Sequence, residues 1–275
     1  MDHCKVTAIA NQKGGVGKTV TAVSLGVGLA RAGEKVLLVD ADPQANLTMS
    51  LGIREPDSLN CTISTLMQSV IQARPPPDGF GILHHNEGVD LLPANIELSG
   101  LEVGLSGVLN REYVLREALE PLRKQYDRIL IDCLPSLGMM TINALAAADS
   151  VIIPSQPSYL SAKGLSLLMG TIAKVRRQIN PGLRIDGVLL TMVNRRTNNA
   201  KAIAASLRQT GSMLRVYDTE IPFSVRAAET SMEGKSIFAH DSRGKVAAAY
   251  DTLTKEVLEN ERRQASRSRT QDCIR

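Results

Sequence analysis

The chain has 275 residues, of which 43% are hydrophobic, and a formal net charge of +4, so it has enough apolar surface for one large α/β domain or two small ones. No apolar stretch approaches the ~20 residues of a membrane-spanning helix and no charged leader precedes one, so we expect neither membrane insertion nor secretion, but a cytosolic protein. The few cysteines are too scattered for a disulfide framework or a zinc site.

The first two predicted elements flank a glycine-rich turn. The apolar run VTAIA (6–10) predicts a strand, and TAVSLGVGLARAG (21–33) predicts a helix that ends at a glycine cap. Between them, glycines at 14, 15 and 17 let backbone N–H groups point inward, and the following helix adds the positive end of its dipole. The segment therefore predicts a phosphate-binding loop, in which Lys18 reaches the β- and γ-phosphates of ATP and Thr19 binds Mg²⁺. A glycine-rich turn without a ligand is the alternative.

Acidic residues follow the next strands of the chain. The run KVLLVD (35–40) ends in Asp40, with Asp42 just beyond it, and DRILIDC (127–133) contains Asp132. Because the carboxyl ends of parallel strands open onto one ligand crevice, we expect these carboxylates to converge on the phosphate loop. Asp132 is then the Mg²⁺ ligand, and Asp42 orients the attacking water. The alternative, that such aspartates cap helices, stays open, above all for Asp40.

Further buried-type strands are predicted over 88–94, 149–155 and 184–194, mostly separated by stretches with helical spacing. This order predicts an α/β fold with a doubly wound, mostly parallel sheet and helices on both faces. Residues 1–261 are interpreted as a single P-loop ATPase domain, with a loop inside it over 73–81. Cys133 is interpreted as a small buried hydrophobe.

Basic residues are concentrated late in the chain. Residues 161–226 hold eleven Lys or Arg against three acids, a pattern typical of a polyanion-binding face, with solvated helix faces as the alternative. The segment 262–275 has five arginines and almost no apolar residue, so we expect a disordered basic tail.

Four segments together resemble the ParA/Soj partition ATPases of the deviant Walker A class, and the likeness runs from about Lys5 to about Glu259. They are KGGVGKT (13–19), LLVDADPQANLT (37–48), YDRILIDCLPSLGMMTINALAAADSVIIPSQ (126–156) and GVLLTMVNRRTN (187–198). The resemblance implies an ATPase, slow when alone, that forms an ATP-dependent sandwich homodimer and binds DNA without sequence preference. It also implies release from the nucleoid when a ParB-type partner stimulates hydrolysis.

The resemblance assigns residues as well. It implies that Lys13 reaches across the dimer to the nucleotide of the other subunit, in the manner of an arginine finger, although a solvated loop lysine is the alternative. Arg196 and Arg226 match positions that contact DNA in the family. The nucleotide-binding residues that it implies are Gly14, Gly15, Val16, Gly17, Lys18, Thr19 and Val20, with Thr19 and Asp132 on the metal.

The sequence also departs from the family. Val20 stands where a second threonine is usual, which predicts weaker nucleotide binding, and Leu134, Lys163 and Phe223 replace residues usual at the switch loops and the DNA surface. Other function classes are a MinD-type membrane ATPase, a nitrogenase iron-protein type and an amide-ligase type. The tail lacks the bulky apolar residues of a membrane-binding amphipathic helix, and the cysteines lack the glycine-rich loops of an iron–sulfur site.

Overall fold

The computed structural model describes residues 4–76, 81–194 and 214–272. Eight strands in these ranges form one sheet in the order β3-β4-β2-β5-β1-β6-β7-β8. Every neighbouring pair is parallel except β3 with β4. The strands are β1 (Lys5–Ile9), β2 (Val36–Ala41), β3 (Leu83–His84), β4 (Val89–Leu92), β5 (Arg128–Cys133), β6 (Ser150–Ser155), β7 (Arg184–Val193) and β8 (Val216–Pro222).

Helices cover both faces of this sheet, so the predicted doubly wound fold is confirmed. They are α1 (Lys18–Arg31), α2 (Asn46–Ser50), α3 (Ile63–Ile71), α4 (Glu97–Gly104), α5 (Val114–Leu119), α6 (Met139–Ala147), α7 (Tyr159–Gln178), α8 (Val225–Glu233), α9 (Ile237–His240) and α10 (Lys245–Asp272). One buried apolar cluster packs α3, α5, α6 and α7 onto the sheet, and a second packs α1, α9 and α10 onto the other face. No helix of the described ranges is both long and apolar enough to span a bilayer.

Helix α1 is held between the sheet and α10 by close contacts at small residues. A Cβ on Gly26 would lie 2.6 Å from the Leu38 side chain of β2, and a Cβ on Gly28 would lie 2.2 Å from the Thr254 hydroxyl of α10. The Thr21 and Tyr250 hydroxyls also lie 3.1 Å apart in the buried interface of the two helices. The two glycines thus let α1 approach both neighbours more closely than any other residue would.

The amino end of the sheet is joined to α10 by ion pairs. Glu261 accepts from Lys5 Nζ at 2.9 Å and from Arg128 Nη1 at 2.6 Å, and Lys5 also pairs with Asp186 at 2.7 Å. These groups are half-buried, and they lie at the edge of the sheet opposite to the carboxyl ends of the strands, where ligands are expected.

Three features differ from the sequence predictions. The two-residue strand β3 carries too little pattern to be recognised, and β8 (VYDTEIP) alternates buried with less buried residues instead of forming an apolar run. Residues 262–272 continue α10, although their composition predicts disorder. The helix continues there because glutamine, arginine and alanine are good helix formers and Arg263 pairs with Glu259 one turn earlier.

Candidate functional site

The glycine-rich turn connects the end of β1 to the start of α1. Gly15 and Gly17 have φ of 69° and 82°, a region that favours glycine, and the helix begins directly afterwards at Lys18. The first N–H that bonds back within the helix is that of Thr21, to the Gly17 carbonyl. The preceding N–H groups of α1 are therefore turned toward the loop, as an anion-binding helix start requires.

Side chains of neighbouring strands fix this loop, and sequence analysis did not identify them. Asn11 Nδ2 donates to the Pro154 carbonyl at 2.7 Å, and Thr191 Oγ1 donates to the Val16 carbonyl at 2.8 Å. Both contacts join β1 and its loop to the carboxyl ends of β6 and β7. These two hydrogen bonds therefore tie the loop to the sheet.

Thr19 and Asp132 lie together, as the sequence predicts for a metal site. Thr19 Oγ1 donates to Asp132 Oδ2 at 2.7 Å. Asp132 is 1% exposed, and its second oxygen, Oδ1, is buried without a hydrogen-bond partner. Burial and the neighbouring Asp40 raise the pKa of the Asp132 carboxyl to about 8.

This pair fits Mg²⁺. A buried carboxylate oxygen without a donor is costly unless a cation or a proton satisfies it, and a hydroxyl beside a carboxylate is a hard oxygen set of the kind that Mg²⁺ prefers. No group of three or more His, Cys, Asp or Glu side chains forms a metal cage in the part of the chain that the structure describes. Such a site therefore suits an ion that takes its other ligands from phosphates and water.

The two aspartates after β2 have different surroundings. Asp40 Oδ2 accepts from both the backbone N–H and the hydroxyl of Thr48, at 2.8 and 2.7 Å, and Asp40 is fully buried. It therefore holds the start of α2, which is the capping alternative. Asp42 is 8% exposed, and its Oδ1 accepts from the Gln44 N–H at 3.0 Å in a local turn. Both carboxylates help to raise the pKa of Asp132, so the three acids converge as predicted.

The two lysines of the loop point to different places. Lys18 is 7% exposed and its Nζ donates to the Lys13 carbonyl at 3.3 Å, within the curl of the loop. Burial lowers the pKa of Lys18, while Asp132 opposes the shift. The Lys13 ammonium instead reaches the residues after β6, where it lies 3.2 Å from Gln156 Oε1 and 3.5 Å from Ser158 Oγ. In this arrangement Lys13 contacts the segment after β6, whereas Lys18 stays within the loop.

A cavity of about 690 Å³ opens at the carboxyl ends of β7 and β8. Its walls include Asn194, Pro222 and Phe223, and the first turns of α10 close it on another side. Phe223 is 64% exposed, so its ring presents an aromatic face. This cavity shares the carboxyl edge of the sheet with the phosphate loop, and the sequence gives no motif for it.

The basic residues of 161–226 that the structure describes lie at both edges of the sheet. Arg226 lies at the start of α8, near the carboxyl ends of the strands, where it is exposed and pairs with Asp241 at 2.8 Å. Lys174, Arg176 and Arg177 end α7 at the opposite edge, where the Arg184 N–H bonds to the Asp149 carbonyl before β6. The described basic residues thus lie at both edges of the sheet, and the polyanion-binding face stays a prediction. Arg196 and the side chain of Lys163 lie outside the described residues.

The side chains of Val16, Val20 and Leu134 lie in apolar surroundings, and the nucleotide-binding role of Val16 and Val20 stays a prediction. Val16 is fully buried, Val20 is half-buried against the second apolar cluster, and Leu134 is packed against the first. Cys133 is 1% exposed, and burial raises the pKa of its thiol, which confirms it as a buried hydrophobe.

Comparisons with known proteins agree with this geometry. The family model described as an AAA domain matches residues 4–185. The chain is 44% identical to the sporulation initiation inhibitor protein Soj of Bacillus subtilis, over 93% of this chain and 99% of that protein. It is 42% identical to the chromosome partitioning protein ParA of Caulobacter vibrioides, over 94% of this chain and 95% of that protein.

A solved structure is similar over nearly the whole length. The cobyrinic acid a,c-diamide synthase of Mycobacterium smegmatis, crystallised with an ATP analogue and magnesium, has a TM-score of 0.80 and 36% identity. The match covers 94% of this chain and 96% of that one. The similarity therefore includes a protein that is named for a different activity, the synthesis of an amide.

Proposed function

Because the chain belongs to the ParA/Soj family of P-loop ATPases, we propose that it is a DNA-partition ATPase that binds Mg²⁺-ATP and forms a sandwich dimer. As that dimer it binds DNA without sequence preference, and a ParB-type partner stimulates its otherwise slow hydrolysis and so releases it from the nucleoid. The observation that carries the ATPase part of the proposal is the buried Thr19–Asp132 pair beside the phosphate loop, and the identity to Soj and ParA supports the partition part.

The residues divide the work of ATP binding and hydrolysis. The N–H groups of the loop and Lys18 hold the β- and γ-phosphates, and Thr19 and Asp132 hold Mg²⁺, which neutralises phosphate charge when bound. Asp42 orients the attacking water from the turn after β2. The cavity at the ends of β7 and β8 accepts the base, because the Phe223 ring offers a stacking surface and the Asn194 amide offers both a donor and an acceptor.

Lys13 completes the site of the other subunit. Within its own subunit the ammonium contacts the segment after β6, and we assign it to the phosphates of a second subunit, whose charge it neutralises when the two subunits meet. Dimerisation then depends on ATP, since two loops without phosphates would bring positive groups together without compensation.

DNA binding is assigned to the edge of the sheet that carries Arg226, together with Arg196. Arg226 must leave Asp241 to contact a phosphate, which costs little because an exposed ion pair is weak. A dimer doubles the number of such contacts, and binding without sequence preference rests on charge of this kind.

The deciding experiment measures retention of the protein on nonspecific DNA with ATP, with ADP and without nucleotide. We expect the protein to be retained on DNA with ATP but neither with ADP nor without nucleotide. Lys18→Ala should lose both the binding of ATP, measured by calorimetry, and the retention on DNA. Equal retention in all three conditions, or calorimetric binding of ATP unchanged by Lys18→Ala, would refute the proposal.

The second candidate is an ATP-dependent amide ligase, which the similarity to the Mycobacterium smegmatis synthase favours. Such an enzyme shares the phosphate loop and the Mg²⁺ pair but has no need of ATP-dependent DNA binding. ATP turnover that depends on a carboxylic-acid substrate and an amide donor, without DNA retention, would select it. A MinD-like protein would instead bind lipid vesicles in the presence of ATP.

A further inference from the structure

Gln156 contacts three parts of the candidate site at once. Its Oε1 accepts from the Lys13 ammonium at 3.2 Å, and its Nε2 donates to the Gly15 carbonyl at 3.2 Å. The same Nε2 lies against the Met192 thioether sulfur. One side chain, placed directly after β6, therefore connects Lys13, the phosphate loop and β7.

The amide group suits these contacts better than any other side chain of its length. Lys13 needs an acceptor and the Gly15 carbonyl needs a donor, and glutamine carries both on one planar group. A glutamate would keep the acceptor but lose the donor, and an alanine would lose both. The geometry is thus specific to a glutamine at this position.

Met192 shows that the surroundings of Gln156 are constrained. Its φ is 52°, the left-handed region that a non-glycine residue occupies only with backbone strain. A Cβ on Gly17 would lie 3.8 Å from the Met192 methyl group. Met192 therefore lies between Gln156 and Gly17, the second positive-φ glycine of the loop.

We propose that Gln156 is a positioning residue that holds Lys13 within its own subunit and thereby restrains dimerisation. This inference rests on the proposed function, in which Lys13 acts on the nucleotide of the other subunit. A lysine that must extend across an interface has to leave Gln156 first, because the ammonium cannot keep a 3.2 Å contact with a residue of its own subunit while it binds a distant phosphate. Breaking the Lys13–Gln156 contact is therefore a step that precedes formation of the dimer.

The contact also couples this step to the loop. The amide that holds Lys13 bonds to the carbonyl of Gly15, whose peptide belongs to the phosphate cradle. A change in the loop when phosphates bind alters the position of Gln156, and with it the hold on Lys13. ATP then favours the dimer in two ways: it supplies the charge that Lys13 binds, and it loosens the contact that Lys13 leaves.

The test measures the dimer dissociation constant by sedimentation velocity, with Mg²⁺ and a saturating non-hydrolysable ATP analogue. For Gln156→Ala we expect a constant about tenfold lower than wild type, because two such hydrogen bonds no longer have to break per dimer. For Gln156→Glu we expect a constant about tenfold higher, because an ion pair now holds Lys13. Gln156→Asn, whose amide is one methylene short, should behave as the alanine variant does.

Gln125→Glu is the matched control, because Gln125 is exposed and precedes β5 at the opposite edge of the sheet. It should dimerise as wild type does. If Gln156→Ala and Gln156→Glu both match this control, or both weaken the dimer, the positioning role is refuted. Lys13→Ala separates the two claims: if it stays monomeric while the Gln156 variants match the control, only this inference fails. If Lys13→Ala dimerises normally, the trans role of Lys13 fails as well.

Discussion

Val20→Thr should strengthen nucleotide binding. Val20 is the third residue of α1, in the turn whose N–H groups face the loop, and its side chain is half-buried. A threonine hydroxyl there can donate to the α-phosphate, and a hydrogen bond to a charged group contributes about 1.5–3 kcal/mol. The dissociation constant of Mg²⁺-ATP should therefore fall by about 10- to 100-fold.

The substitution also removes a methyl group that packs against the second apolar cluster. For a half-buried methyl group the cost is about 0.5 kcal/mol, which lowers the melting temperature of a protein of this size by about 1–2 °C. This cost is the same with and without nucleotide, so it does not enter the dissociation constant. Affinity and stability should thus change in opposite directions.

Isothermal titration with a non-hydrolysable ATP analogue measures the affinity, and a thermal melt without nucleotide measures the stability. Val23→Thr is the matched control, since Val23 is in the same helix but is 4% exposed, inside the core. It should lower stability by more than Val20→Thr and leave the affinity unchanged. A Val20→Thr protein that binds ATP no more tightly than wild type would show that position 20 does not face the α-phosphate.

Three further predictions concern single residues. With ATP, Asp42→Ala should dimerise and stay on DNA, because only the chemical step is lost, whereas Lys13→Ala should bind ATP as a monomer. If light scattering finds both variants dimeric, Lys13 is a solvated lysine of the loop and does not act across the dimer. For wild type, log affinity for DNA should fall with log salt concentration at a slope of roughly −3 to −4. Arg226→Ala should make this slope less steep by about 0.9, whereas Arg177→Ala, at the opposite edge of the sheet, should leave it unchanged. The reverse result would place the DNA-binding surface at that opposite edge. Burial raises the pKa of Asp40 from 3.8 to about 6, so the folded state holds a proton that the unfolded state loses between these pH values. The stability that this group contributes is complete below pH 3.8 and is lost as the pH rises through 6. An asparagine at this position would not titrate, so the free energy of unfolding of Asp40→Asn should rise by up to about 3 kcal/mol relative to wild type between pH 4 and 7, measured by urea melts without nucleotide. A difference between the two proteins that does not change with pH would contradict the raised pKa of Asp40.

The sequence was sufficient for the parts of the fold that depend on local pattern. Parallel strands are buried on both sides, so β2, β5 and β6 are apolar runs that can be recognised, and the glycine spacing of the loop is complete within a few residues. The edge strand β8 was not predicted, because only alternate residues are buried and the strand has no continuous apolar run. The pairing of Asp132 with Thr19 followed from the rule that the ends of parallel strands meet.

Contacts that depend on strand order could not be predicted. Gln156 and Lys13 are 143 residues apart and meet only because β6 lies directly beside β1 in the sheet. The positions of the basic residues in the fold could not be predicted, for a similar reason. A charge count along the chain takes no account of α7, which carries its last turn to the far edge of the sheet and so separates Arg177 from Arg226.

The close contacts of α1 limit how the protein can respond to its nucleotide. With Gly26 against Leu38 and Gly28 against Thr254, the helix cannot slide or tilt without colliding with β2 or with α10. We therefore expect α1, the helix that receives the phosphates, to keep its position when the nucleotide changes. We then expect the ATP and ADP forms to differ in the segments that contact the loop, namely those after β5, where Pro135 lies near Gly14, and after β6, where Gln156 bonds to Gly15. Exchange of backbone amides should accordingly differ between the two forms in those segments and not along α1.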